Sequence, residues 1–216
     1  MKKRIHKGGA KFTVTEPEAM PGRSDVASDN PVPAPPFWGT RIVRGVSLHD
    51  YSAFLDERAT FMGQWGPKTR IRPDRRATCP ADVLPVQLVT AGSKTEEFTA
   101  KMFAANQYRD YYELNGLVTQ LTEALAEFWH ARIRKELGFA AEEPKDTAGY
   151  FKLDYRGARF SLGYPACPDM EDRRKVTELL KPERMGVVLS DELMLHPEQS
   201  TDAFVFHHPE AKYFEV

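Results

Sequence analysis

Helical and strand-like segments arrive along this chain in runs, and that order constrains the fold more than any other feature. Three consecutive stretches, 94–104, 106–115 and about 117–137, carry helical patterning with no strand between them. Before them lie a short strand candidate at 37–43, a helix opened by Ser47 and running through about Met62, and a strand over 83–90. After them come a helix over about 170–180 and strands at 185–189 and 203–208. A parallel sheet would need strand and helix to alternate. Runs of each kind predict a single α+β domain with a twisted antiparallel sheet and several helices.

Local signals fix the details. Tyr51, Phe54, Leu55, Arg58, Phe61, Met62 and Trp65 recur at helical spacing, with Asp56 beside that stripe. Pro85 gives the 83–90 strand an edge or entry position. Ser93 and Glu96 carry the capping-box signature for the helix that follows. On the third helix Leu117, Leu121, Leu125, Phe128 and Trp129 gather in one sector, and Glu123, Glu127, His130 and Arg134 fall opposite, on an expected solvated face.

Composition narrows the function. The 216 residues suit one domain, and 30 basic against 31 acidic residues exclude a global electrostatic grip on nucleic acid or anionic membrane. No apolar run approaches the ~20 residues of a membrane span. The basic start, 1-MKKRIHKGGAKF-12, has no apolar segment behind it and is not a secretory signal. Cys79 and Cys167 lie far apart and outside any CxxC, which predicts reduced thiols in the cytoplasm. Residues 1–36 read as a basic, proline-rich linker or surface arm, and 37–216 as the folded domain.

Familiar chemical constellations fail one by one. Glu127 and His130 make half of a di-iron pattern that has no second copy. His207 and His208 adjoin on a strand and point to opposite faces, and His196 does not complete a zinc site. No phosphate loop, Rossmann glycine fingerprint or nucleophile elbow occurs, and no base accompanies Cys167. No catalytic residue and no metal site are assigned.

What remains is 159-RFSLGYPACPD-169. Arg159 offers a fork of donors suited to a carboxylate. Gly163 lets a ligand or another backbone approach, Tyr164 can stack or donate, and Pro165 and Pro168 stiffen the turn. Such a stretch suits a small zwitterion or nucleotide, and equally a rigid turn with a structural arginine.

This stretch resembles the S-adenosylmethionine-binding signature of the activation domain of cobalamin-dependent methionine synthase. In the same order, 35-PPFWGTRIV-43, 55-LDERATFMGQWG-66, the segment 103–138 and 204-FVFHHPEAKYF-214 are similar to that family, so the likeness covers most of 35–216. It implies a non-Rossmann fold that binds S-adenosylmethionine for repair: a partner domain's cobalamin, oxidised to cob(II)alamin, is reduced by flavodoxin or a similar reductant and remethylated. The protein's work is then binding and orientation.

Carried over by the resemblance, Arg159 takes the ligand carboxylate, Asp56 its ammonium, and Glu123 hydroxyl or sulfonium contacts. Gly163, Tyr164 and Ala166 shape the pocket, and Tyr213 and Phe214 close it. Two departures stand out. Leu162 replaces a frequent proline, and only 67–87 bridges a stretch where the family has several dozen residues, including strands. Part of the sheet is expected to be reduced. The chain also lacks the D-x-H-x-x-G pattern of the lower cobalamin ligand, so cobalamin is expected on a cobalamin-binding synthase core. The expected role is a cytoplasmic part of methionine synthase, inactive alone. The alternative is a non-catalytic module that senses S-adenosylmethionine or docks a cobalamin protein.

Overall fold

The computed structural model describes residues 27, 29–55, 83–164 and 166–212. Its main sheet has three antiparallel strands in the order β1 (Val86–Thr90), β5 (Ser200–Phe206), β2 (Ala158–Phe160). Strand β1 begins directly after Pro85 and lies at an edge, as the proline predicts. Register sets the faces, because residues paired across strands point to the same side. Gln87 pairs with Ala203 and Arg159 with Val205, so these four share one face. Leu88 pairs with Asp202 and Phe160 with Phe204, and these four share the other.

Helix α3 (Tyr108–Glu136) covers the first face. Gln87 Nε2 donates to the Ala126 carbonyl across that contact at 3.1 Å. Two separate helices were expected over 106–115 and 117–137; the structure has one helix of 29 residues, roughly 43 Å long. Gly116 falls within it and is buried, so its missing side chain serves packing instead of breaking the helix. The expected division of α3 into a buried apolar face and a solvated polar face does not hold. His130 and Arg134 are fully buried, as are Ala124, Ala126 and Ala131, while Leu117 is exposed. Small residues bring the helix close to the sheet, and the polar residues among them face inward.

The second face packs against α5 (Asp172–Leu180), a 3₁₀ turn at Pro182–Met185, and the two-stranded ribbon of β3 (Val188–Leu189) and β4 (Leu195–His196). Leu88, Val187 and Leu195 form its core with Leu180, Met185 and Leu189. A buried ion pair crosses it: Arg173 donates to both oxygens of Asp202 at 2.9 and 3.0 Å. Arg173 also donates to the Leu162 carbonyl, which ties α5 to the segment following Arg159.

Other expectations need correction. Ser47 caps α1 (Leu48–Ser52) by accepting from the His49 amide, but the helix ends at Ser52 and passes into i→i+3 turns at Phe54 and Leu55. The rest of the helix expected through Met62 lies outside the described residues. Residues 37–43 form no strand; Phe37 packs under Arg41, whose guanidinium reaches Glu136 on α3 at 2.7 Å. Helix α2 (Ser93–Ala104) is capped by Gly92, not Ser93, and makes no side-chain cap bond. Glu96 turns away from the expected box and accepts from the Glu198 amide at 3.3 Å.

Candidate functional site

Strand β2 is where the sheet meets the polar stripe of α3. Gly157, just before it, has φ +78, and a Cβ there would lie 2.0 Å from the Phe206 carbonyl oxygen. Only glycine lets β2 pair this closely with β5. That pairing aims Arg159 at α3, where Glu123 and Glu127 stand one turn apart. Arg159 donates from Nη1 to Glu123 Oε2 at 3.0 Å and from Nε to Glu127 Oε2 at 3.3 Å.

Behind this pair the charges continue inward. Glu127 accepts from the Tyr155 hydroxyl at 3.3 Å, and its other oxygen lies 3.6 Å from Arg134 Nη1 and 3.7 Å from His130 Nδ1. Arg134 is held by two bonds to Glu143 and stacks over the Tyr155 ring at 3.7 Å. The Tyr150 hydroxyl also donates to Glu143. Tyr150 belongs to the short helix α4 (Thr147–Phe151), whose Asp146 cap accepts from the Gly149 amide.

A cavity of about 390 Å³ opens over this cluster. Glu123, Glu127, Arg159, Tyr150, Tyr155 and Tyr164 line it, with Gln120, Ser161 and an apolar rim of Phe54, Ala124, Phe151 and Leu153.

Its electrostatics follow from burial and neighbours. Burial alone would raise the Glu127 carboxyl, but contact with His130 and the guanidiniums of Arg159 and Arg134 hold it at about 2. Burial depresses His130, aided by Arg134 and Arg159 and opposed by Glu127, leaving it at about 4. Burial works against the charge on Arg159, yet Glu123 and Glu127 overcome it and raise its pKa. The Tyr150 phenol is pushed up to about 12 by burial and by its bond to Glu143, and Tyr155 is raised by burial and Glu127. None of these shifted groups titrates near neutrality. The arrangement suits holding and orienting a charged ligand, not moving a proton.

Of the residues expected from sequence, Glu123, Arg159 and Tyr164 meet at this cavity. Gly163 is exposed, with the Met170 side chain against the place a Cβ would take. It has φ +86, and a Cβ there would meet Met170 Sδ at 2.5 Å. It begins a tight turn in which its amide donates to the Cys167 carbonyl, and the Cys167 amide to that of Tyr164. Ala166 sits half-buried in the same turn, which fixes Tyr164. Asp56, Tyr213, Phe214 and Pro165 lie outside the described residues.

His130, read from sequence as part of a solvated face, is fully buried behind the cavity, and Glu127, read the same way, is mostly buried in its wall. The signal was present: Glu127 follows Glu123 by four residues, which places both on one side of a helix. Tyr150 and Tyr155 carried no comparable signal. Among the described residues no cluster of three or more His, Cys, Asp or Glu could hold a metal, and no helix is long and apolar enough to cross a membrane.

Fold and site together define an α+β domain with a small antiparallel sheet and a cavity with charged walls between sheet and helix. Residues 71–216 match the family model described as "Vitamin B12 dependent methionine synthase, activation domain", and the chain belongs to that family. It is 44% identical over 293 residues to the methionine synthase of Mycobacterium tuberculosis (strain ATCC 25618 / H37Rv), covering 93% of the chain and 25% of that protein. For the Mycobacterium leprae (strain TN) methionine synthase the identity is 43% over 293 residues, covering 93% and 24%. The chain thus spans about a quarter of the length of these curated relatives. Both alignments are longer than the chain itself, so dozens of the relatives' positions have no counterpart here. A crystal structure of the MetH reactivation domain bound to AdoHcy superposes with a TM-score of 0.57 at 28% identity, covering 61% of this chain and 41% of that one.

Proposed function

We propose that the chain binds S-adenosylmethionine in the Arg159 cavity and supports reductive methylation of cob(II)alamin on a cobalamin-dependent methionine synthase. It would do so in trans or as a piece of that enzyme, in the cytoplasm, during methionine biosynthesis. One observation carries this reading: a guanidinium held between Glu123 and Glu127 faces a cavity of ligand size, in a member of the activation-domain family.

The charges match. S-adenosylmethionine has one carboxylate and two cationic centres, ammonium and sulfonium; the cavity has one guanidinium and two carboxylates. Arg159 has five N–H donors and gives two to the glutamates, so an incoming carboxylate finds donors still available. Glu123 and Glu127 then lie close enough to favour the ligand's cations, with Asp56 proposed for the ammonium. Tyr164, held by the Gly163–Cys167 turn, covers the ligand with Ala166 beside it; Tyr213 and Phe214 are proposed to complete the closure.

Cobalamin, carried by the synthase core, would supply the cobalt nucleophile once a one-electron donor such as flavodoxin has reduced it. Sulfur leaves as a neutral thioether and keeps the bond pair, so no residue of this chain need take or give a proton. The residues bind and orient, which accords with ionised Glu127 and Arg159 and protonated Tyr150 and Tyr155. The AdoHcy bound to the solved relative is what the methyl donor becomes once its methyl has left.

Calorimetry tests the binding step. Arg159→Ala should weaken S-adenosylmethionine binding by about 1.5–3 kcal/mol, the range for hydrogen bonds to charged groups. Undiminished affinity would move the ligand elsewhere. A second reading, a sensor without turnover, is favoured by the missing stretch relative to the synthases. Mixing the chain with a cobalamin-loaded synthase core, reduced flavodoxin and S-adenosylmethionine separates the two. Optical conversion to methylcobalamin supports activation; bound ligand with unchanged cob(II)alamin supports the sensor.

A further inference from the structure

The charged groups around the cavity form a single file of alternating sign: Glu143, Arg134, Glu127, Arg159, Glu123. The inner pair, Glu143 and Arg134, has side chains 6% and 1% exposed, and exposure then rises through 14% and 19% to 40% at Glu123. The two carboxylates on Arg159 are therefore not equivalent. Glu127 is wedged between two guanidiniums, and its Oε1 is sealed from solvent with no hydrogen-bond partner among the described residues. Releasing Glu127 would strand a buried charge, whereas Glu123 can exchange its contact for water at little cost.

We propose that Glu127 is a positioning residue that fixes the Arg159 fork toward the cavity, and that Glu123 is the partner a ligand carboxylate replaces. This rests on the binding reading above. The geometry supplies the reason. Glu127 takes the Nε–H, at the base of the guanidinium, and so sets the plane of the group. Glu123 takes an Nη1–H at its far end, the edge an incoming carboxylate must use. Inward, Glu127 is backed by Arg134, which Glu143 and the Tyr155 ring hold in turn, so the fork is anchored through α3 to the loop that carries Glu143. A carboxylate replacing Glu123 leaves the alternation of charge intact and frees Glu123 for the ligand's cationic end.

The test uses two ligands with the same adenosine and an uncharged sulfur. S-adenosylhomocysteine carries the amino-acid carboxylate and ammonium, and 5′-methylthioadenosine lacks both; the Arg159 Nε–H readout below separates loss of the fork from loss of an ammonium contact. Glu127→Gln should weaken S-adenosylhomocysteine roughly tenfold or more, since a charge-assisted contact to a fixed fork is lost, and leave 5′-methylthioadenosine within about twofold. Equal losses for both ligands, or none, would overturn the proposal. If the glutamine variant does not fold, Glu127→Asp keeps the charge, shortens the reach, and should show the same selectivity with a smaller loss.

A second readout needs no ligand. In nitrogen-15 spectra the Arg159 Nε–H, assigned by its disappearance in Arg159→Lys, should be protected from exchange in the wild type. It should stay protected in Glu123→Gln and vanish in Glu127→Gln. Retention in Glu127→Gln refutes the positioning role. If the Nε–H behaves as expected but neither ligand binds, the binding reading fails on its own, and with it the exchange at Glu123.

Discussion

His130 offers the sharpest quantitative test of the buried stripe on α3. Its ring is fully buried, stands edge-on to Tyr155 with centroids 5.2 Å apart, and finds no hydrogen-bond partner for either nitrogen among the described residues. Burial, Arg134 and Arg159 disfavour the imidazolium, and the nearby Glu127 does not compensate, so its pKa falls from 6.5 to about 4. The unfolded chain takes up this proton near pH 6.5, but the folded protein does so only near 4. Stability from this group is complete above pH 6.5 and is lost as pH falls toward 4. The full shift corresponds to about 3 kcal/mol, of which about 2 kcal/mol is lost between pH 7 and pH 5. Glu127 contributes little in that window, because its stabilisation is present above the unfolded value of 4.5 and lost only as pH falls toward 2.

The perturbation is His130→Gln, close in size and uncharged at both pH values. Urea titrations at pH 7 and pH 5 on both proteins give a difference of differences, in which the titrating groups that do not touch His130 cancel. The wild type should lose about 2 kcal/mol more than the variant between the two pH values. Any constant packing cost of the substitution also cancels. An identical pH dependence in both proteins would mean that His130 is not held neutral between the guanidiniums, and the charge file behind the cavity would be misread.

The remaining predictions concern what holds the site in place. Gly157→Ala should lower stability by at least ~2 kcal/mol in thermal melts, because the new Cβ collides with the Phe206 carbonyl at a positive φ; a change under about 0.5 kcal/mol would refute the close approach. Arg173→Met strands the buried Asp202 carboxylate and should cost about 3–5 kcal/mol, while adding Asp202→Leu should recover much of that loss. Cys167→Ala should cost about 1 kcal/mol or less and leave S-adenosylmethionine affinity nearly unchanged, its backbone bonds to Gly163 and Tyr164 being retained. Loss of binding there would give the thiol a role beyond packing.

Much of the sheet was legible because strand signals are local. Pro85 marked the entry to β1 and an edge position, and 203-AFVFHH-208 marked the strand that became the centre. Its partner β2 has only three residues, too few to show a period, and is defined by pairing with β5 once Gly157 allows the approach. The joining of two expected helices into α3 was hidden by Gly116, which reads as a breaker in isolation and is buried within one continuous helix. The displaced cap of α2 has a similar origin. Glu96 found a better use across the molecule, at the Glu198 amide, than in its own first turn.

The buried polar stripe of α3 has a different cause. Amphipathic patterning assumes that buried positions are apolar, and that fails when a helix carries several members of a charge file whose remaining members, here Arg159 and Glu143, come from elsewhere. Two glutamates four residues apart repel on an isolated helix. A single fold-imposed cation resolves the conflict, and Arg159 arrives from β2 to do so. The like-charged pair was therefore a sign of a missing partner and not of solvent. Resemblance to a family could point to Arg159 and Glu123, because both stand at positions the resemblance assigns to the ligand. Glu127 and His130 lie inward of those two residues, where only the meeting of sheet and helix brings the charges together. A site that must be both ionised and closed to water needs its counter-charges buried before any ligand arrives, and the inner half of this stripe meets that need.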